Sequence, residues 1–168
     1  YTLLLSLSWE TGARKAKGDP QASRWVYDFK KRGRHAGEVR TLLEAVKVHF
    51  SCTDIVAVPG SSPGVTSLQR LFGMAIERIT PVEPRKRRHD SPLPEDYGAS
   101  YTIHADRVTE PVVLLVDDVC TSGTTLRHFA GALQAQGYEV IMCVLGLDYK
   151  LSIQPCFFLS FPVFDELA

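Results

Sequence analysis

Two adjacent carboxylates stand directly before a loop of small and hydroxyl-bearing residues. The carboxylates are Asp117 and Asp118, and the apolar run 112–116 precedes them. Carboxylates can bind hydroxyl groups or a metal ion, and a glycine-containing loop at a helix start can bind phosphate through backbone N–H groups. A phosphorylated sugar carries both kinds of group. The loop residues are Thr121, Ser122, Gly123, Thr124 and Thr125.

Strands and helices are predicted to alternate around this segment. Apolar residues at i, i+3, i+4 and i+7 predict a helix over residues 37–50, a second from residue 63 onward, and a third that follows the loop and ends at Gly137. Short apolar runs predict strands over residues 54–58, 99–103, 112–116 and 140–145. This order predicts an α/β fold with a doubly wound, mostly parallel sheet and helices on both faces.

A second loop is expected at the same edge of the sheet as the first. It follows the strand 54–58, and its last residue is expected to cap the next helix. In parallel α/β sheets, ligands bind beyond the carboxyl ends of the strands, so the two loops are expected to form one site. The residues of this second loop are Pro59, Gly60, Ser61 and Ser62.

Two segments lie outside the core (residues 37–146), and the hood that they would form over the site is what the family resemblance described below implies. Runs at 1–7 and 24–29 predict an N-terminal hairpin within residues 1–36, and the Phe-rich residues 147–168 predict a covering tail. A long loop after residue 80 carries a basic run that either lies in solvent or contacts a diphosphate or nucleic acid. The basic residues are Arg85, Lys86, Arg87 and Arg88.

The composition predicts a single cytoplasmic domain. The chain has 168 residues and a formal net charge of zero, so no global charge favours nucleic acid or a membrane surface. No apolar run approaches the roughly 20 residues that span a bilayer. The four cysteines show no CxxC pair, which is typical of reduced thiols in a cytosolic protein.

The segment 113–125 resembles the phosphoribosyl-diphosphate (PRPP) binding motif of type I phosphoribosyltransferases, with Cys120 where an aliphatic residue is more usual. The resemblance implies that Asp117 and Asp118 are catalytic, hydrogen-bond the ribose hydroxyls and hold Mg²⁺ indirectly through them. It also implies that the loop after them binds the 5′-phosphate and that the loop 59–62 binds pyrophosphate. Residues 25–146 most resemble the ComF-type branch, which is related to competence and similar to amidophosphoribosyltransferases. The points of similarity are the segment 27–34 (YDFKKRGR), the basic run 85–88 and the segment 98–101 (GASY) before the motif.

The resemblance implies a Mg²⁺-dependent glycosyltransferase of the pentosyltransferase class. It would transfer the 5-phosphoribosyl group of PRPP to a nucleobase or amine nitrogen and release pyrophosphate, and it could form a homodimer. The alternative is a non-catalytic PRPP- or nucleotide-binding module, or a ComF-like module of DNA uptake. The absence of a basic side chain in the loop 59–62 favours this alternative. A phosphatase is disfavoured, because the aspartates are adjacent and no suitably placed lysine motif follows them.

Overall fold

The computed structural model of the protein describes residues 2–4, 8–9, 20–60, 64–78, 101–108, 111–120, 123–148 and 157–158. Numbered in chain order, their strands are β1 (Thr2–Leu4), β2 (Ser8–Trp9), β3 (Asp54–Ala57), β4 (Ile76–Arg78), β5 (Tyr101–Ile103), β6 (Val112–Cys120), β7 (Glu139–Asp148) and β8 (Phe157–Phe158). Their α-helices are α1 (Pro20–Arg32), α2 (Ala36–His49), α3 (Ser67–Phe72) and α4 (Thr124–Gln134). A 3₁₀ turn, Ala105–Arg107, follows β5.

A parallel sheet forms the centre of the molecule. In the described part of the chain its strand order is β3-β6-β7-β1-β8, β2 also pairs with β7, and all of these pairs are parallel. β4 and β5 form a separate antiparallel pair. The α/β class and the mostly parallel sheet that the sequence predicts are therefore confirmed.

The helices α2 and α4 follow the apolar spacing of their sequences. α2 buries Val39, Leu42, Leu43 and Val46, which are spaced by three or four residues and so lie on one face. α4 buries four residues at the same spacing, and Gly137, at φ 93°, follows its end. Among the described helices, none is long and apolar enough to cross a membrane.

Two apolar clusters pack against opposite faces of the sheet. Val113 and Leu115 belong to the cluster that contains the buried face of α4. Leu114 and Val116 belong to the cluster that contains the buried residues of α2. Because successive residues of a strand point to opposite faces, the run 112–116 is apolar throughout, as expected for a strand covered on both sides.

The predicted N-terminal hairpin is wrong. Residues 24–29 lie within α1, whose residues Val26 and Phe29 are buried one turn apart while Tyr27 is 45% exposed. That burial follows a helical spacing and not the two-residue period of a strand. β1 pairs in parallel with β7 inside the main sheet, so residues 2–4 form no hood. Of the predicted tail, residues 157–158 pair with β1, and the remainder beyond residue 148 lies outside the described residues.

The second predicted helix begins later and is shorter than expected. Thr66 caps α3: its hydroxyl accepts a hydrogen bond from the Gln69 N–H at 3.1 Å, and its own N–H donates to Gln69 Oε1 at 3.1 Å. The prediction that Ser62 caps this helix is wrong, because this capping box already serves the helix start. Gly73, at φ 89°, ends the helix, so the apolar Ile76 lies in β4.

The strand before the candidate site is longer than predicted. β6 continues to Cys120, where the sequence predicts an end at residue 116. The reason is that β7 supplies parallel partners throughout, from Glu139 opposite Val112 to Leu147 opposite Cys120. Asp117 and Asp118 therefore lie inside a strand and not in the loop after it.

Candidate functional site

The described ends of the two predicted loops lie at the carboxyl edge of the sheet. Ala57 lies opposite Val116, and the Val58 N–H donates to the Val116 carbonyl at 2.9 Å. The same register places Pro59 level with the carboxylates of β6. Pro59 is buried and Gly60 is half-buried beside them. The structure thus brings the first two residues of the loop 59–62 to the expected edge.

Asp117 and Asp118 point to opposite sides of the sheet. Asp118 Oδ1 accepts a hydrogen bond from the Lys30 ammonium of α1 at 2.7 Å. Asp117 lines a cavity of about 30 Å³ together with the start of α4. Adjacent residues of a strand alternate between the two faces, so the carboxylates have different neighbours and can have different roles. The sequence predicts one shared role for the two carboxylates, whereas the structure gives each of them a different set of neighbours.

Lys30 is a site residue that the sequence shows only as part of the basic run 30–34, with no partner assigned to it. It lies in the last turn of α1, and the Ser67 hydroxyl donates to the carbonyls of Phe29 at 2.8 Å and of Lys30 at 3.3 Å. These hydrogen bonds fix the end of α1 against α3. The Lys30 side chain is 37% exposed and that of Asp118 is 15% exposed, so the ion pair lies at the boundary between protein and solvent. A cation is therefore present at the site, although none occurs in the loop 59–62.

The protonation of Asp117 is strongly perturbed. Burial is the largest cause that raises the pKa of Asp117, and the negative charge of Asp118 is the second. Together they raise this pKa to about 7. The Lys30 charge and a hydrogen bond from the Asp118 N–H to Asp117 Oδ1, at 2.8 Å, act in the opposite direction. Near neutral pH this carboxyl group is present in both forms, and such perturbed groups concentrate at functional sites.

The start of α4 faces Asp117 across the small cavity. Gly123 is the N-cap residue of α4. It has the left-handed conformation at φ 70°, and as a glycine it has no side chain that could cap the helix. Thr124 and Thr125 are half-buried first residues of the helix and line the cavity. A helix N-terminus favours an anion. The cavity has room for one or two groups of the size of a water molecule, which suits part of a phosphate group.

Several predicted site residues cannot be placed. Thr121 and Ser122 of the first loop, Ser61 and Ser62 of the second, and the basic run Arg85, Lys86, Arg87 and Arg88 lie outside the described residues. Cys120 is described, and it is buried, with 5% of its surface exposed. Within the described ranges, no cluster of three or more His, Cys, Asp or Glu side chains is arranged to hold a metal ion.

A larger cavity of about 280 Å³ lies at the opposite, amino edge of the sheet, beside the first residues of β3. Its charged lining residues include Arg40, Lys47 and Arg107. Arg40 donates to the Leu71 carbonyl at 2.7 Å, and Arg107 donates to the Met74 carbonyl at 3.0 Å. None of the residues predicted to form the site lines this cavity.

The chain is similar over part of its length to two proteins named as transcriptional regulators. It is 35% identical over 65 residues to the transcriptional regulator GfcR of Haloferax volcanii, a match that covers 39% of this chain and 31% of the regulator. It is 31% identical over 67 residues to GfcR of Halorubrum lacusprofundi, covering 40% of this chain and 32% of the regulator. The chain thus spans about a third of the length of these curated relatives. No family model and no solved structure matches it.

These relatives correct the function that the resemblance implied. Both are named as regulators of transcription and neither as a transferase. This finding overturns the assignment to the phosphoribosyltransferases and to their ComF-type branch. It equally overturns the predicted pentosyltransferase activity and the predicted partners, PRPP with a nucleobase or amine. The alternative of a PRPP-binding or ComF-like DNA-uptake module has no support among the matches.

Proposed function

We propose that this chain is the ligand-responsive part of a transcriptional regulator and that it binds a small phosphorylated polyol at the carboxyl edge of its sheet. The similarity to two transcriptional regulators supports the regulatory role. The observation that carries the ligand site is the perturbed Asp117, which faces the start of α4, while the neighbouring Asp118 pairs with Lys30 on the other face of the same strand. A cytoplasmic location is part of this proposal.

The chemistry of the site matches the two ends of such a ligand. The phosphate would bind at the start of α4, where backbone N–H groups and the helix dipole favour an anion. The predicted loop residues Thr121 and Ser122 would complete that contact. A ligand hydroxyl would donate to the carboxylate of Asp117. In this proposal Asp117 and Asp118 bind the ligand and do not catalyse a reaction.

The proposal also includes the winding of the sheet, the second loop and a Mg²⁺ ion. The sheet would be doubly wound, with the ligand at the edge where the strand order reverses, and Ser61 and Ser62 would line the same edge. Mg²⁺ would accompany the phosphate. Carboxylate oxygens suit this ion, but Lys30 already pairs with one of the two carboxylates, so a bound Mg²⁺ would keep most of its water ligands.

Titration calorimetry with ribose 5-phosphate, ribose and inorganic phosphate as probes tests this proposal. We expect the phosphorylated sugar to bind more tightly than either fragment, and Asp117→Asn to weaken it at least about tenfold, since an ionised acceptor is lost. Asp106→Asn removes an exposed carboxylate of the 3₁₀ turn and is the matched control. Repeating the titration without Mg²⁺ tests the ion. The proposal is wrong if the phosphorylated sugar binds no better than inorganic phosphate, or if both variants bind it equally well.

The pH dependence of binding gives a second test. Asp117 accepts a hydroxyl more strongly when it is ionised, and its pKa is about 7 in the free protein. Affinity should therefore rise between pH 6 and pH 8, and proton release should appear when binding is measured in two buffers of different ionisation enthalpy. Affinity that does not change over this range would remove Asp117 from the site.

A further inference from the structure

We infer that the corner between α1 and α2 contacts the phosphate backbone of duplex DNA through Arg32 and Arg34, both held by the buried carboxylate of Asp28. This inference rests on the proposed regulatory function and assigns that function a surface. Lys30, at the same helix end, points to Asp118 at the carboxyl edge of the sheet, whereas these arginines point to solvent.

Asp28 holds the two arginines in place. Arg32 Nη1 lies 3.0 Å from Asp28 Oδ1, and Arg34 Nη1 lies 3.6 Å from Asp28 Oδ2. The Asp28 side chain is only 10% exposed, whereas the arginine side chains are 54% and 61% exposed. The anchoring group is therefore inside the protein, and most of each guanidinium surface remains open to a partner.

The backbone of the corner also positions Arg34. Gly33, at φ 66°, turns the chain after α1, and its N–H donates to the Phe29 carbonyl at 2.9 Å. His35 also has a positive φ and stacks on Trp25 with ring centroids 5.4 Å apart. Two residues in the left-handed region, closed by hydrogen bonds and a ring contact, give Arg34 a fixed place beside Arg32.

The corner has a surplus of positive charge that the whole chain does not have. One carboxylate faces two guanidinium groups. Residues 24–40 include six basic and two acidic residues, in a chain whose formal net charge is zero. Arg24 and Lys31 are exposed on α1 and extend the basic surface toward the start of the helix. Such a local basic patch attracts polyanions even in a protein whose net charge is zero.

The form of the surface favours an extended polyanion over a small metabolite. Arg32 and Arg34 line neither of the two cavities described above. Each guanidinium has five N–H donors, of which the contact with Asp28 engages a part, so others can donate to phosphate oxygens. Because Asp28 already orders both side chains, less side-chain entropy is lost on binding. Neighbouring phosphates along a DNA strand offer matching acceptors.

Fluorescence anisotropy with a labelled 30-base-pair duplex, from 50 to 200 mM salt, tests the inference. The logarithm of the binding constant should fall linearly with the logarithm of salt concentration. Arg32→Ala/Arg34→Ala should reduce that slope by about 2, roughly 0.9 for each lost phosphate contact, and should weaken binding at 50 mM salt about tenfold or more. Lys47→Ala/Arg107→Ala removes two positive charges from the amino edge and should leave the slope nearly unchanged.

A second variant guards against loss of folding, since removing both arginines leaves Asp28 unpaired. Arg34→Gln keeps the shorter contact between Arg32 and Asp28, and should reduce the slope by about 1. No binding by the unmodified chain at 50 mM salt, or equal slopes for the chain and for both corner variants, would overturn the inference. An equal loss in the control pair would do the same, because it would show a diffuse charge effect.

Two further arms separate this inference from its alternatives. If polyglutamate displaces the chain at lower concentration than unlabelled duplex does, the surface binds an acidic protein and the DNA assignment is wrong. The corner variants should keep the affinity of the unmodified chain for ribose 5-phosphate. DNA binding that depends on these arginines, in a chain that binds no phosphorylated sugar, would refute the ligand proposal and support the DNA surface.

Discussion

The two edges of the sheet present charged groups in opposite ways. At the carboxyl edge, a cavity of about 30 Å³ is bordered by Asp117, whose pKa burial raises to about 7. At the amino edge, a cavity of about 280 Å³ is lined by Arg40 and Arg107, which donate to backbone carbonyls. The smaller cavity therefore borders a carboxyl group whose ionised form destabilises the folded protein. The larger cavity borders guanidinium groups whose hydrogen bonds to backbone carbonyls stabilise it.

This difference shows that size alone does not identify the site. Arginines that bind carbonyls at the end of α3 and in the loop after it contribute to folding whether or not a ligand is present. A carboxyl group with a raised pKa lowers the stability of the folded state when it ionises, so it needs a compensating partner. A ligand hydroxyl or a cation supplies such a partner.

The largest expected effect is a gain in stability on Asp117→Asn. The folded-state pKa lies above the unfolded value of 3.8, so the folded protein binds this proton more tightly, and the free energy of unfolding falls as pH rises from about 4 to 7. At pH 8 the variant should be more stable by up to about 4 kcal/mol. Urea denaturation at pH 5 and pH 8 measures the effect.

The comparison of the two edges supplies the control for that measurement. Asp54 begins β3 at the amino edge, and Asp54→Asn should give no stability gain at pH 8. If Asp117→Asn lowers the stability at pH 8, or changes it equally at both pH values, the ionised carboxylate is already well compensated and the contrast between the edges fails.

The next effect comes from two glycines with positive φ, one at each edge. Gly123→Ala and Gly73→Ala place a Cβ at φ 70° and φ 89° respectively, and each should lower the free energy of unfolding by about 1–2 kcal/mol. The Cβ at residue 123 would also lie 3.0 Å from Arg127 Nη1, whereas nothing lies within 4 Å of the one at residue 73.

The two variants should lose similar stability but should differ in their affinity for the ligand. Gly123→Ala should weaken ribose 5-phosphate in calorimetry, because the start of α4 is altered, and Gly73→Ala should leave the affinity unchanged. Equal affinities for the two would exclude the start of α4 from the phosphate contact.

The elements around the site differ in how well the sequence predicts them. α2, β3, β7 and α4 follow apolar periods that agree with their burial, so their existence and the parallel sheet could be predicted. In α1, Trp25, Tyr27 and Phe29 alternate as in a strand, and aromatic residues favour strands. Packing of Val26 and Phe29 in the core overrides that preference, and the place of Lys30 at the site was missed with the helix.

The sequence identifies the two carboxylates of the site, but the prediction did not place them on opposite faces of the sheet. Two adjacent charges after an apolar run are typical of a strand end, so the continuation of β6 was missed. Val119 and Cys120 are apolar and were the available signal. With the strand extended, alternation alone predicts opposite faces for Asp117 and Asp118. The partner of Asp118 depends on a helix 88 residues earlier in the chain, a contact that no local pattern reveals.

The smallest expected effect compares one lysine at each edge. Lys30→Ala removes the partner of a carboxylate that is 15% exposed, so the free energy of unfolding should fall by about 1 kcal/mol, reduced by solvent screening because Lys30 is itself 37% exposed. It should also raise the pKa of Asp117 further, since the Lys30 charge opposes that shift. Lys47 pairs at 3.4 Å with Glu44, which is 44% exposed, so Lys47→Ala should cost less than about 0.5 kcal/mol. Denaturation of both variants at pH 7 measures the difference, and equal losses would show that the pairing at the carboxyl edge has no special role.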